Sequence, residues 1–339
     1  MADDGRARQT ALTHLDQPLF DGAEATKGDL VAYLEAVARP IVEQLRGRPL
    51  SVVRVLRGQA PFMQKNLPKY TPPWIHRVAI WSHASKRDVS YALCDDAETL
   101  MWFANQRAVE YHPTLVRADD WDHPTHLVLD IDPPAGNQQV AGNFGLAARA
   151  AALARQALDD AGLAGAVKTS GAKGLHIFVP VAGATLEECA AATRALAARA
   201  ERLDPALATT AFVKQDRHGR VFIDSTRAGG ATVAAAYSPR VRPGVPVSFP
   251  VDWPDLASVV PADFHLRNAA GLLAGADVWA NLLPPPQSLG PDLIAEGREI
   301  PVARVQAMHE GKRRKRAADK QAEQDGATAA ERDPGTSDR

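Results

Sequence analysis

A mixed α+β fold follows from three features of the 339-residue chain. Short apolar runs with strand-like alternation are interleaved with longer segments whose apolar residues recur at helical spacing. With 45% hydrophobic and 23% charged residues, the chain can bury a sizeable core in one large or two modest domains. No stretch approaches the roughly 18 apolar residues that a membrane span needs, and the N-terminus "MADDGRARQT" has no apolar signal region.

Taken in order, residues 1–11 read as a flexible polar leader. A helix is predicted from about Thr26, with Leu30, Tyr33, Leu34 and Val37 on one face and Gly47 past its end. Ser51–Leu56 reads as a strand, "YTPPW" as a loop, and Ile75–Trp81 with Val89–Leu93 as a strand pair. "DAETLMWFANQRAVEYH" predicts a helix running to about Glu110. A strand ends at Asp132, and "FGLAARAAALARQALDDAGL" is a helix closed at Gly162. "AVKTSGAKGLHIFVPV" reads as two strands around a glycine loop. Thr185 and Glu188 form a capping box for a helix that stops before Pro205, and "GRVFIDST" is another strand. "YSPRVRPGVPVSFP" is extended and proline-rich. Residues 12–295 are predicted as one domain and 296–339 as a helical, charged tail, disordered from about Gly311.

A formal net charge of −1 means that any nucleic-acid contact must come from a local basic face. Cys94 and Cys189 lie far apart with no C-x-x-C spacing, which excludes a zinc ribbon or disulfide framework and fits an intracellular protein.

The chemistry gathers in three segments where an apolar strand ends in polar residues. In "HLVLDIDPP", alternation puts Leu127, Leu129 and Ile131 on one face and Val128, Asp130 and Asp132 on the other. Two carboxylates that close repel unless a cation lies between them, and hard oxygen pairs favour a divalent ion. A strand ending in an Asp-Pro-Pro turn is the competing account of that pair. In "VFIDS", Phe222 and Asp224 share a face, so Asp224 can join the other two acids. Three acids around one or two Mg²⁺ or Mn²⁺ ions are what nucleotidyl transfer requires. "SGAKGLH" places Gly171 and Gly174 so that backbone N–H groups can approach phosphate oxygens, with Ser170 as hydroxyl donor, Lys173 as cation and His176 on the next strand. An ordinary glycine hairpin is the alternative there, and no Walker loop occurs. Arg240 and Arg242 are further candidate phosphate partners, against the alternative of a solvated strand face. His112 in "VEYHP" is ambiguous by itself.

The ordered set "LTHLDQPLF", "TKGDL", "QKNLP", "EYHP", "HLVLDIDPP", "KTSGAKGLHIFVP", "VFIDS" and "YSPRVRPGVPVS" resembles the polymerase domain of bacterial ligase D, in the archaeo-eukaryotic primase superfamily, from about Leu12 to about Leu283. The resemblance implies a primase-polymerase core of two mixed sheets flanked by helices. It implies a template-dependent polymerase and primase that extends or fills DNA ends in non-homologous end joining, using Mn²⁺ or Mg²⁺ in a two-metal site and an NTP or dNTP. It also implies gapped duplex, Ku and an ATP-dependent DNA ligase as partners, and a cytoplasmic, nucleoid-associated location. Carried over position by position, Asp130, Asp132 and Asp224 match the metal ligands and catalytic acids, and Ser170, Lys173 and His176 the triphosphate-binding loop. His112 matches the histidine near the nucleotide's sugar, and Arg217 and Arg240 match basic residues that reach the nucleotide. Phe62 matches a template-stacking aromatic, Lys27 a contact to the downstream 5′-phosphate, and Lys65 joins them as a DNA-binding residue. The chain departs from the family pattern at Gln17 and Val53, where lysines are common, and at Met63, often a second aromatic. No ligase lysine motif or phosphoesterase histidine cluster is present, which fits a stand-alone polymerase domain. The competing function is a DNA-end-binding or bridging module with little or no catalysis. A D-x-D glycosyltransferase leaves "SGAKGLH" and Asp224 unexplained.

Overall fold

Thr26 opens the first helix as predicted. Its side chain accepts from Asp29 N–H while the Asp29 carboxylate takes the Thr26 N–H, and α1 runs Lys27–Ala36. The single helix expected here is two, because α2 (Ala38–Leu45) starts after a break at Val37. Pro40 has no N–H for the Ala36 carbonyl, and a proline is tolerated only in a helix's first turn. The structure is a computed structural model and describes residues 10–82, 86–134, 140–228 and 231–302.

The first sheet contains β1 (Pro49–Arg54), β2 (Phe62–Gln64), β3 (Arg77–Ser82) and β4 (Arg87–Leu93), which pair antiparallel in the order β2-β1-β4-β3. Its fifth strand corrects the sequence reading. Helix α3 (Ala97–Asn105) ends five residues short of Glu110, Arg107 turns the chain at φ 60°, and Ala108–Pro113 forms β5 against β1. Val109 and Tyr111 suit a pleated surface, and pairing with β1 satisfies backbone groups that an edge strand would leave open. "EYHP" is therefore a buried strand.

The second sheet is built from β6 (His126–Asp132), β7 (Ala166–Thr169), β8 (Leu175–Pro180), β9 (Ala208–Thr209), β10 (Val221–Asp224) and β11 (Pro250–Val251), in the order β11-β7-β8-β6-β10-β9. All its pairs are antiparallel except β9 with β10. Helices α4 (Val140–Asp159) and α5 (Leu186–Leu203) cover one face. The Thr185–Glu188 capping box and the turn at Gly162, φ 69°, are both present. Leu127, Leu129 and Ile131, with Val221 and Ile223, pack into the α4–α5 core, leaving the opposite face of β6 and β10 for polar groups. Short helices α6 (Ala269–Leu273) and α7 (Val278–Leu282) pack into the core around the first sheet. Helix α8 (Pro291–Glu299) docks on α5 and straddles the boundary expected at residue 296, while the tail from 303 onward lies outside the described residues.

Candidate active site

Strand register assembles the site. Asp224 on β10 lies directly across from Asp130 on β6, Asp130 is across from His176 on β8, and His176 from Lys168 on β7. Residues paired across adjacent strands point to the same face. One row, Asp224–Asp130–His176–Lys168, therefore crosses four strands, with Asp132 two residues along β6. The predicted alternation of acids and apolar residues holds on both strands.

This crowding of negative charge in a buried place has a price in pKa. Burial first, then Asp132, push the Asp130 carboxyl up to about 7, with Asp224 adding to the push and Arg227 opposing it. Asp132 is also raised, again mainly by burial. Arg227, on the turn after β10, was not anticipated. Its Nε and Nη2 both lie 3.0 Å from Asp130 Oδ2, and Nε lies 3.4 Å from Asp224 Oδ2. Among the described residues no three His, Cys, Asp or Glu side chains converge as a metal cluster. The guanidinium supplies the positive charge that the carboxylates need. By chemistry the three acids are a hard-oxygen donor set suited to Mn²⁺ or Mg²⁺, and they share one face of adjacent strands.

Beside Asp132 opens a cleft of about 340 Å³ whose walls include Ser170, Lys173, Lys214, Arg217 and Arg242. The structure thus brings together the acids, the glycine loop and Arg217. The loop's glycines also serve close packing. A Cβ on Gly171, which has φ 68°, would stand 2.5 Å from Arg240 Cγ, and one on Gly174 would stand 2.2 Å from the Ile131 carbonyl oxygen. Glycine is needed for close approach to β6 and Arg240. The Gly174 N–H, like that of Ala172, donates to Ser170 Oγ and is not open to a phosphate. Lys173 is exposed on the cleft wall. Arg217 spans the Phe222 ring at 3.6 Å and donates to the Ala211 and Phe212 carbonyls.

His112 approaches from the first sheet. Its Nε2 is 2.8 Å from Glu110 Oε2, and Arg240 Nε pairs with the same oxygen at 3.1 Å. Arg240 also donates to the Ser170 carbonyl, so this side chain ties β5 to the glycine loop. Burial alone would raise Glu110, but the His112 hydrogen bond, the Arg240 guanidinium and the Val241 N–H together hold it down at about 2. His112 itself is lowered, chiefly by burial.

The candidate DNA contacts divide. Phe62 (36% exposed) and Lys65 stand at the surface on and beside β2, with the Arg54 guanidinium 6.0 Å from the Phe62 ring centre. Lys27 is largely covered, and its ammonium is engaged within the chain. It is 3% exposed, with Nζ at 2.5 Å from the Thr13 carbonyl and 2.6 Å from Asn105 Oδ1. Gln17 lines a larger cleft of about 550 Å³ with Arg57, Arg107 and Arg242. Reading the sequence alone missed Glu110, Lys168, Arg227 and Lys214. Two of these carried a signal, a lysine inside the apolar run "AVKT" and an acid two residues before His112.

Residues 26–279 match the family described as the LigD primase-polymerase domain. The chain is 30% identical over 260 residues to the bifunctional non-homologous end joining protein LigD of Bacillus subtilis (strain 168), covering 75% of this chain and 41% of that protein. It is 33% identical over 266 residues to the multifunctional non-homologous end joining DNA repair protein LigD of Mycobacterium tuberculosis (strain ATCC 25618 / H37Rv), covering 74% of this chain and 34% of that one. The chain thus spans between a third and two fifths of these relatives' lengths. Among solved structures, the polymerase domain from Mycobacterium tuberculosis ligase D in complex with DNA superposes with a TM-score of 0.73 at 29% identity, covering 81% of this chain and 98% of that one.

Proposed function

The chain belongs to the LigD primase-polymerase domain family, and from that premise we propose that it is a metal-dependent, template-directed nucleotidyltransferase that fills or extends DNA ends in non-homologous end joining. The observation that carries this reading is the contact between unlike halves of one site, with Asp132 of the acid row on the wall of a cleft whose other charged residues are all lysines and arginines. A nucleoside triphosphate fits that division. Its α-phosphate meets the acids, and its β- and γ-phosphates meet Lys173, Lys214 and Arg217. Asp130, Asp132 and Asp224 would hold Mn²⁺ or Mg²⁺, which when bound stabilises the attacking 3′-oxygen and the leaving pyrophosphate. Arg240, anchored on Glu110 and Ser170, fixes the spacing between the glycine loop and His112. Arg227 holds the acids together and yields them to a stronger cation.

The polynucleotide partner is a gapped or broken duplex, gripped from the first sheet by Phe62 and Lys65. Ku and an ATP-dependent DNA ligase are the proposed protein partners. A cytoplasmic, nucleoid-associated location is proposed with them; among the described residues no helix is long and apolar enough to cross a membrane. The non-catalytic end-binding alternative is not favoured, because a bridging module has no need of three acids in register. The test is primer extension on a gapped duplex, with ribo- and deoxynucleotides, with and without Mn²⁺. Metal-dependent, template-directed extension supports the reading. End binding without extension under every condition overturns it.

A further inference from the structure

At the inner end of the acid row stands Lys168, a lysine with no exposed surface. It cannot touch DNA, and a buried amine is costly unless its N–H groups find acceptors. Its Nζ lies 2.8 Å from His176 Nδ1 and 2.5 Å from Ser248 Oγ, and 5.4 Å from the centre of the Phe178 ring. We propose that Lys168 is a positioning residue that holds His176 in the Nε2–H tautomer, aiming that proton at the acid row and the nucleotide phosphates beside it.

The protons can be assigned one by one. Ser248 Oγ donates its own hydrogen to the Thr169 carbonyl at 2.7 Å, so toward Lys168 it can only accept. One Nζ proton therefore goes to Ser248. Burial and the nearby Arg240 hold the Lys168 pKa well below the usual lysine value, but charged or neutral the amine keeps a second N–H, and donating it to His176 Nδ1 leaves the imidazole hydrogen on Nε2. Were Lys168 a neutral amine accepting from Nδ1–H, the bare Nε2 lone pair would face Asp130 Oδ1 at 3.5 Å, acceptor against acceptor whenever that carboxyl is ionised, the form in which it can hold a cation. Strand register makes the arrangement rigid, because Lys168, His176 and Asp130 are consecutive cross-strand neighbours. The hairpin carrying Ser248 is tied in through Ser248 N–H to the Ser238 carbonyl. A hydrogen-bond chain thus runs from Thr169 through Ser248 and Lys168 to His176.

The inference rests on the nucleotidyl-transfer reading for its functional consequence but not for its structural content, and the experiment separates the two. In protein labelled with ¹⁵N-histidine at neutral pH, long-range ¹H–¹⁵N correlation should show the His176 ring, assigned by its loss in His176→Ala, with hydrogen on Nε2 and a bare Nδ1. Lys168→Met keeps the bulk and removes the donor, and it should shift the ring toward a mixed tautomer population. The variant should raise the KM for nucleotide about tenfold with kcat changed less than threefold. In the His176→Ala background the same substitution should leave KM unchanged, whereas a merely structural lysine would act alike in both. A hydrogen on Nδ1 in the wild type overturns the proposal even if Lys168→Met fails to fold. So does an equal KM effect with and without His176. Wild-type protein that shows the Nε2–H tautomer but never extends a primer would sink the functional reading alone.

Discussion

The two sheets present their candidate functional side chains in different ways. The second sheet buries its acid row. Asp130, Asp224, His176 and Lys168 are all nearly or wholly inaccessible and in cross-strand register. On the first sheet, the candidate DNA-contacting side chains Phe62 and Lys65 lie at the surface. All three departures from the family pattern fall on or beside the first sheet: Val53 on β1, Met63 on β2, and Gln17 lining the cleft next to them. In the acid row and glycine loop the sequence reading found no such departure. A set proposed to hold a metal and a phosphate within a fraction of an ångström would tolerate little, because each member's position depends on its neighbours in the row. Exposed contacts to a nucleic-acid backbone contribute singly and modestly, so they can be lost one at a time.

The largest expected effect lies in the second sheet. Asp130→Ala should lower extension by on the order of a thousandfold by removing a proposed metal ligand that nothing replaces, while circular dichroism stays native. In the metal-free protein, Asp130→Asn should stabilise the fold, and the sign follows from the raised pKa. A carboxyl pushed up to about 7 in the folded state favours folding fully below its unfolded value of 3.8, and that favour is lost as pH rises from there through about 7. Denaturation should therefore show the variant gaining roughly 2 kcal/mol over wild type at pH 8 and little at pH 4. Equal stability at both pH values would mean that Arg227 fully neutralises the site.

Glu110 tests where the two sheets meet. Glu110→Gln removes the anchor of Arg240 and His112, and nucleotide KM should rise about tenfold. Stability should fall by roughly 2 kcal/mol at neutral pH. Because Glu110 is held down at about 2, its contribution is present above the unfolded value near 4.5 and disappears as pH falls toward 2. The gap between variant and wild type should close over that range. A gap independent of pH would assign the loss to packing.

Two smaller predictions concern the first sheet. Phe62→Ala should leave the melting temperature within about a degree and weaken template binding by about tenfold, the scale of one lost base stack. Lys27 and Gln17 should separate cleanly. Lys27→Ala should lower stability by about 1–2 kcal/mol, because Asn105 and the Thr13 carbonyl lose their donor. It should leave the preference for a 5′-phosphate over a 5′-hydroxyl at a gap unchanged. Gln17→Lys should raise that preference about fivefold and increase the salt dependence of binding by about one phosphate contact. Loss of the preference in Lys27→Ala at full stability would return the phosphate site to Lys27.

Much of this protein was legible in its sequence where the relevant physics is local. The capping boxes at Thr26 and Thr185, the turn at Gly162 and the alternation that puts Asp130 and Asp132 on one face of β6 depend on residues a few positions apart. The end of α3 was not legible. No glycine or proline marks it, and β5 exists because β1 offers it a hydrogen-bonding partner about fifty-five residues away in sequence. The same distance dependence governs the site. Sequence determined that three strands end in acids, a glycine loop and histidine. Only tertiary structure decided that Asp224, Asp130, His176 and Lys168 stand in one row, that Arg227 serves as their counter-ion, and that Lys27 is spent inside the fold. Side-chain alternation is a property of a single strand, whereas register, burial and the partner of a buried charge arise only when strands far apart in the chain are brought together.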